Sequence, residues 1–306
     1  MPVATDTALE KLKWMEEMRI WPNGLRYLWT DAFGLVLYVS LYRQTGEQQH
    51  LDRAEALVCE VDRVLGRPRG YRIGEEPDRD GQYFHYLAMW IFALGRLGSV
   101  IPKYRHKAIN LVRAVHRPFL IPDIGIMWKM KEDLSGAYPG YGLGALDAFH
   151  GYVVYSGLAP EELREEIGDM KTIVGRTYRS LHIDQDLGLG MMLWMAHFTP
   201  EEPWAVLQRR RSLDTFDLMW IDPPGYYCRH PDTPHTRFAF TNYGVSLGLQ
   251  AVGMVPENVD KINAYFEKYR SGDEYDTNAI THVMACTSYF PGELIQYGNS
   301  LFGGTP

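Results

Sequence analysis

The sequence predicts an all-α double ring built from six helical hairpins. Nearly continuous apolar runs, each opened by small or polar residues, recur about six times along the 306 residues. Each run but the last is followed by a short turn and then a segment with a single apolar stripe. The apolar runs begin near residues 31, 80, 142, 188, 238 and 278, a spacing of roughly 40–60 residues that suits two helices plus their loops. A continuously apolar helix must be buried on all sides, whereas a striped helix has one wet face. Alternating the two places buried helices inside and striped helices outside. Such a ring has a mouth where inner-helix ends converge.

Residues 7–19 read as an amphipathic helix, with Leu9, Leu12, Met15 and Met18 on one face and Thr5 or Asp6 as its cap. The first hairpin runs from about 30 to 66: LVLYVSLY is its inner helix, RQTGEQQ its turn, and LDRAEALVCEVDRVLG its outer helix. A loop rich in Gly, Pro and charge follows at 66–79. Asp80-Gly81-Gln82 opens the second inner helix, YFHYLAMWIFALGRLG, whose outer partner spans about 103–116. A long connection, 117–141, has room for a short β-ribbon. The third hairpin pairs 143–157 with 160–179, and the fourth pairs 187–198 with about 201–219. A second long loop, 220–237, precedes the fifth, 238–252 with 256–270. The sixth inner helix, about 277–289, has no outer partner downstream, where PGELIQYGNSLFGGTP is broken by Gly and Pro. Helix 7–19 can supply that partner and close the ring. A repeat running end to end makes residues 1–306 one domain in this reading.

Composition narrows the function classes. The net charge is −7, and Arg209-Arg210-Arg211, in an expected outer helix, is a solvated face rather than a nucleic-acid patch. Three widely spaced cysteines, Cys59, Cys228 and Cys286, argue against a disulfide framework and for a reducing, cytoplasmic setting. Acids and lysines inside the N-terminal apolar stripe do not match a secretory leader. No apolar run reaches about 18 residues, so no membrane span is expected. Aromatic residues make up 13% of the chain, enough to line a pocket with rings. P-loop, H-E-x-x-H and G-x-S-x-G elements are absent, and the Gly-rich stretches follow no strand. No cofactor is therefore expected. Cys228, His230 and His235 have a spacing unusual for zinc, with no evident fourth ligand, so no metal is expected either.

The segment LYRQTGEQQHLDRAEALVCEVDRVLG, with its TG turn, resembles the inner-to-outer hairpin of the six-hairpin glycosidase-like, (α/α)6 toroid superfamily. DRDGQYFHYLAMWIFAL is similar to a block in uncharacterised bacterial members. The resemblance covers about residues 5–290. It implies an (α/α)6 toroid whose relatives include glycoside hydrolases, sugar epimerases and isomerases, and polysaccharide lyases. Fold-level likeness does not choose among these activities.

The site candidates follow from the expected mouth. Asp80 opens the second inner helix as cap and lead acid/base, with Gln82, Tyr83, His85 and Tyr86 beside it as binding groups. Asp31, behind Trp29, opens the first inner helix and is a second carboxylate. Asp147 and His150 share a face at i, i+3 and can form a general base with its orienting partner. Trp128 and Lys129 can fold over the mouth from one long loop, and Tyr227 from the other. Asn242 and Tyr243 open the fifth inner helix; His282 lies on the sixth, with Asn278 one turn before it. Aromatic rings plus paired carboxylates are what glycoside hydrolysis needs, one acid kept protonated and the other ionised. The expected function is a carbohydrate-active enzyme, a hydrolase, acting on a small-molecule or oligosaccharide substrate. Three alternatives stay open: a sugar epimerase or isomerase using His85, His150 or His282; a cyclase or lyase using the D-x-D element Asp78-Arg79-Asp80; and a non-catalytic binding toroid.

Overall fold

The computed structural model describes residues 3–220 and 239–296. Twelve α-helices stand among the described residues, and their contacts group into two compact units.

One unit, described over residues 25–177 with 296, holds the first three hairpins. They are α2 (Leu28–Thr45) with α3 (Gln48–Val64), α4 (Phe84–Gly98) with α5 (Lys103–Phe119), and α6 (Asp147–Leu158) with α7 (Arg164–Thr177). Inner helices α2, α4 and α6 pack side by side, and each carries its outer partner behind it. The burial follows the sequence pattern: α2 is buried without a break from Leu28 to Leu41 and α4 from Leu87 to Gly98. In α3 only a stripe is covered, running from His50 and Leu51 through Ala54, Leu57 and Val58 to Val61. Gly46, at φ 72°, ends α2 in the left-handed conformation and donates its N–H to the Tyr42 carbonyl. That turn is the "TG" visible in the sequence.

The start of the second inner helix differs from expectation. The helix begins at Phe84, with Tyr83 at its N-cap, and Asp80 does not cap it. Gly81, at φ 78°, turns the chain, and Gln82–Tyr83 form a two-residue strand, β1. A Cβ at Gly81 would lie 2.7 Å from the Met130 carbonyl oxygen. This close approach lets β1 pair antiparallel with β4 (Lys129–Met130), while β2 (Leu120–Ile121) pairs with β3 (Gly125–Ile126). The long connection thus forms two small ribbons and is laced to the start of α4: Phe84 N–H donates to the Trp128 carbonyl, and Trp128 N–H to that of Gly142.

The other unit, described over residues 3–24, 178–220 and 239–295, holds α8 (Asp186–Ala196) with α9 (Pro203–Met219), α10 (Ala239–Ala251) with α11 (Pro256–Lys268), and α12 (Ala279–Tyr289). Helix α1 (Val3–Glu17) packs on α12, burying Ala8, Leu12 and Met15, and takes the outer-partner role expected of it. The helix starts two residues before Thr5, which is buried within it, and ends before the exposed Met18; Thr5 is therefore not its cap. Helices α8 and α10 cross closely at Gly190, Gly244 and Gly248. A Cβ on Gly190 would stand 2.1 Å from the Gly244 carbonyl oxygen. Any side chain there would push the two inner helices apart.

Candidate active site

In the first unit, the first turn of α4 and the laced connection together build a cluster of rings. His85 and Tyr86 project from α4, and Tyr83 precedes them. The Trp128 and Tyr83 rings stack at 5.6 Å and 24°, and Trp128 lies 6.3 Å from His85 at 27°. Tyr86 meets His85 edge-on at 4.7 Å, and Trp29 of α2 lies 5.8 Å from His85. Tyr141 closes the cluster against Trp128, while the hydroxyls of Tyr27 and Tyr86 hydrogen-bond to each other. Trp128 remains 41% exposed, so one wall of the cluster faces solvent. Rings in this arrangement offer stacking faces for a ligand that is apolar on its flats and polar at its edges.

The polar groups sort by environment. Lys129 is almost wholly enclosed, at 5% side-chain exposure, with its ammonium 3.7 Å from the Tyr138 ring centre and 3.4 Å from Asp80 Oδ1. Tyr138 donates its hydroxyl to Asp80 Oδ2 at 2.7 Å. That hydrogen bond, with the Lys129 charge beside it, holds the Asp80 carboxyl below the ordinary range. Asp80 is a stabilised anion at 38% exposure, a poor proton donor and a weak base. Asp31 is a buried ion-pair partner of Arg26 at 3.0 Å. Gln82 is structural. Its amide oxygen accepts from Tyr71 N–H, its nitrogen donates to the carbonyls of Arg69 and Glu132, and the side chain is fully buried. Asp78 lies in a 3-10 turn with an exposed carboxylate 3.8 Å from Arg79.

Asp147 does not take the partner its spacing suggested. Its Oδ1 faces His85 Nδ1 at 3.6 Å, bringing together residues 62 positions apart on neighbouring inner helices. Asp147 is enclosed and its carboxyl is raised above its ordinary value by burial, with the His85 ring pulling the other way. His85 itself is 27% exposed at the side chain, among the rings. With Nδ1 turned to the carboxylate, Nε2 lies on the opposite edge of the ring.

His150 is buried, and burial, helped by the nearby His85 charge, pushes it down to about 3. It stays neutral where enzymes work. A buried neutral histidine binds protons more readily in the unfolded chain, at about 6.5, so stability is full above that value and falls as pH drops toward about 3. Chemical denaturation from pH 7 to pH 4 should therefore show the wild type losing up to about 1.4 kcal/mol per pH unit to this group. His150→Gln should flatten that slope; an unchanged slope would refute the assignment.

In the second unit, His282 Nε2 lies 2.8 Å from the Asp276 carbonyl, and burial pushes the ring down to about 4. With Tyr243, Thr281 and Lys11 it lines a cavity of about 20 Å³, room for about one water. The Tyr243 and Tyr289 hydroxyls are 3.1 Å apart, and Asn242 is fully buried on α10. Asn278 caps α12, its Oδ1 accepting from Ile280 N–H. Tyr226, Tyr227, Cys228, His230 and His235 lie outside the described residues. Among the described residues no group of three His, Cys, Asp or Glu could hold a metal ion, and no helix is long and apolar enough to cross a membrane.

Three contributors to the ring cluster were not singled out from the sequence: Tyr27, Tyr138 and Tyr141. The run AYPGYG carries both Tyr138 and Tyr141, but nothing local ties it to Asp80.

Neither a family model nor a curated protein matches this sequence. Solved structures do. A family 76 α-mannanase of Bacteroides thetaiotaomicron matches with a TM-score of 0.63, 11% identity and 94% of each chain covered. A D-mannose isomerase matches at 0.61 and 13%, covering 88% of this chain and 87% of its own. The cellobiose 2-epimerase of Bacillus thermoamylovorans matches at 0.58 and 8%, covering 87% and 88%. The fold is the (α/α)6 toroid of the six-hairpin glycosidase-like proteins. Identities this low establish the toroid and leave its chemistry to the residues above.

Proposed function

We propose that this toroid is a carbohydrate-active enzyme that interconverts sugars by proton transfer, as an aldose–ketose isomerase or an epimerase. The observation that carries the reading is the His85–Asp147 pair within the ring cluster. A sugar ring stacks on Trp128 and Tyr83. In its open-chain form, the hydrogen on the carbon next to the carbonyl is acidic enough for an imidazole to remove. His85 Nε2 takes that proton, and Asp147 steadies the imidazolium through Nδ1–H. The electron pair left behind gives an enediolate, its charge on the former carbonyl oxygen. Returning the proton to the former carbonyl carbon, while the neighbouring hydroxyl passes its proton to that oxygen, gives the isomer; returning it to the same carbon after that carbon has turned its other face to His85 gives the epimer. A contact of 3.6 Å is of the kind that tightens when substrate binds.

The matched structures supply both chemistries, since they include epimerases and an isomerase beside the mannanases. One mannanase was captured with α-1,6-mannotriose as an inactive variant in which two adjacent aspartates are replaced by asparagine. This chain contains no two adjacent aspartates. That difference, with Asp31 and Asp80 engaged in ion pairs, weighs against carrying the hydrolase chemistry across. The reading is tested by incubating the enzyme with unmodified aldoses in D2O. Deuterium should enter the carbon next to the carbonyl, and exchange with none of them would overturn it.

One observation keeps hydrolysis as a second reading: Asp147 is pushed up by burial while Asp80 is held down, the division of labour of an acid and a base. Asp80→Asn separates the two. It should leave proton exchange within about tenfold of wild type, whereas hydrolysis would lose the roughly 10²–10⁴-fold that a general base contributes.

A further inference from the structure

Asp147 reaches His85 only because of what is missing at Gly144. A Cβ built on Gly144 would stand 1.4 Å from Asp147 Oδ2 and 2.5 Å from its Cγ. The carboxylate therefore occupies the volume that any other residue's side chain would fill. Gly144 is not in the left-handed region, so alanine meets no backbone obstacle there. Its N–H donates to the Ile126 carbonyl at 2.9 Å, fixing the glycine to the ribbon that precedes Trp128. The obstruction would fall on the far end of one side chain and on no backbone atom. The fold can absorb it by turning the carboxylate away, and the His85 contact cannot.

We propose that Gly144 is a positioning residue: its missing side chain makes the space that lets Asp147 orient His85. This rests on the reading of His85 as the base, and two readouts keep the two claims apart. The first is turnover. Gly144→Ala should lower kcat by about 10²-fold, the scale of an ångström-level misplacement of a catalytic group, with KM little changed because the stacking rings are untouched. In an Asp147→Ala background the same change should cost nothing further, since no carboxylate remains to displace. The second readout needs no substrate. In 15N-histidine spectra, with His85 assigned by His85→Gln, the Nδ1–H tautomer should dominate in the wild type and give way to a mixture in Gly144→Ala. Asp147→Ala and the double variant should give one and the same spectrum. Gly144→Ala with wild-type kcat and tautomer would overturn the proposal, as would an added loss in the Asp147→Ala background. Absence of proton exchange in the wild type would remove the isomerase reading, while the tautomer comparison would still decide the role of Gly144.

Discussion

His85→Gln is expected to reduce proton exchange and turnover by about 10²–10⁴-fold, the usual contribution of a positioned general base. Glutamine keeps a polar side chain of similar reach in a half-buried place, so the helix should survive the change. The ring is the accessible imidazole of the aromatic cluster, and its Nδ1 faces a carboxylate that can steady its charged form. His150 is enclosed, and burial that pushes it down to about 3 makes it a much weaker base than an ordinary imidazole. The measurement is the rate of deuterium incorporation from solvent, beside the melting temperature of the variant. Activity within tenfold of wild type would move the base elsewhere. A collapsed melting temperature would call for His85→Asn, which must then show the same kinetic loss in a folded protein.

Asp147→Asn is expected to separate activity from stability. The asparagine amide can donate to Nδ1, leaving the proton on Nε2, where the base needs a lone pair. The loss should approach that of removing the histidine, about 10²–10⁴-fold. Stability should move the other way. An enclosed carboxyl whose folded value is raised binds its proton more readily in the folded chain than in the unfolded one. The penalty for its charge is absent below the unfolded value of about 3.9, grows as pH rises from there to the folded value, and stays in full above it. At neutral pH the wild type carries that cost and the asparagine variant does not. Urea denaturation at pH 7 should find Asp147→Asn at least as stable as wild type, with the difference shrinking as pH falls. A destabilised variant would mean that the carboxylate holds the fold together rather than serving the histidine. A retained cost of this kind is typical of functional groups, where stability is given up for chemistry.

The fold was legible because burial leaves a mark on every turn of a helix. LVLYVSLY and YLAMWIFALG have no polar face, so they had to be inside, and they are. The striped LDRAEALVCEVDRV had to lie outside. The missing sixth partner pointed to the N-terminal helix, and α1 does pack on α12. The candidate site was less legible, because side-chain partners are not set by spacing along one helix. Asp80 before Gly81 reads as a cap, but the glycine turns the chain into β1, and the carboxylate meets Lys129 and Tyr138 from a loop about fifty residues on. Gln82 reads as a ligand donor, but both of its N–H groups go to the carbonyls of Arg69 and Glu132 and its oxygen accepts from Tyr71 N–H.

By itself, the sequence determined which helices are inner and which outer, and which residue types gather at their ends. Apolar periodicity is a local property and needs no partner to be read. Only the tertiary structure decided that Asp147 faces His85 on the neighbouring helix rather than His150 on its own. The same folding engaged Asp31 and Asp80 elsewhere and left the space beside Gly144 for a carboxylate. Those outcomes depend on distances between segments that the chain joins only through folding, and on burial that no residue carries alone.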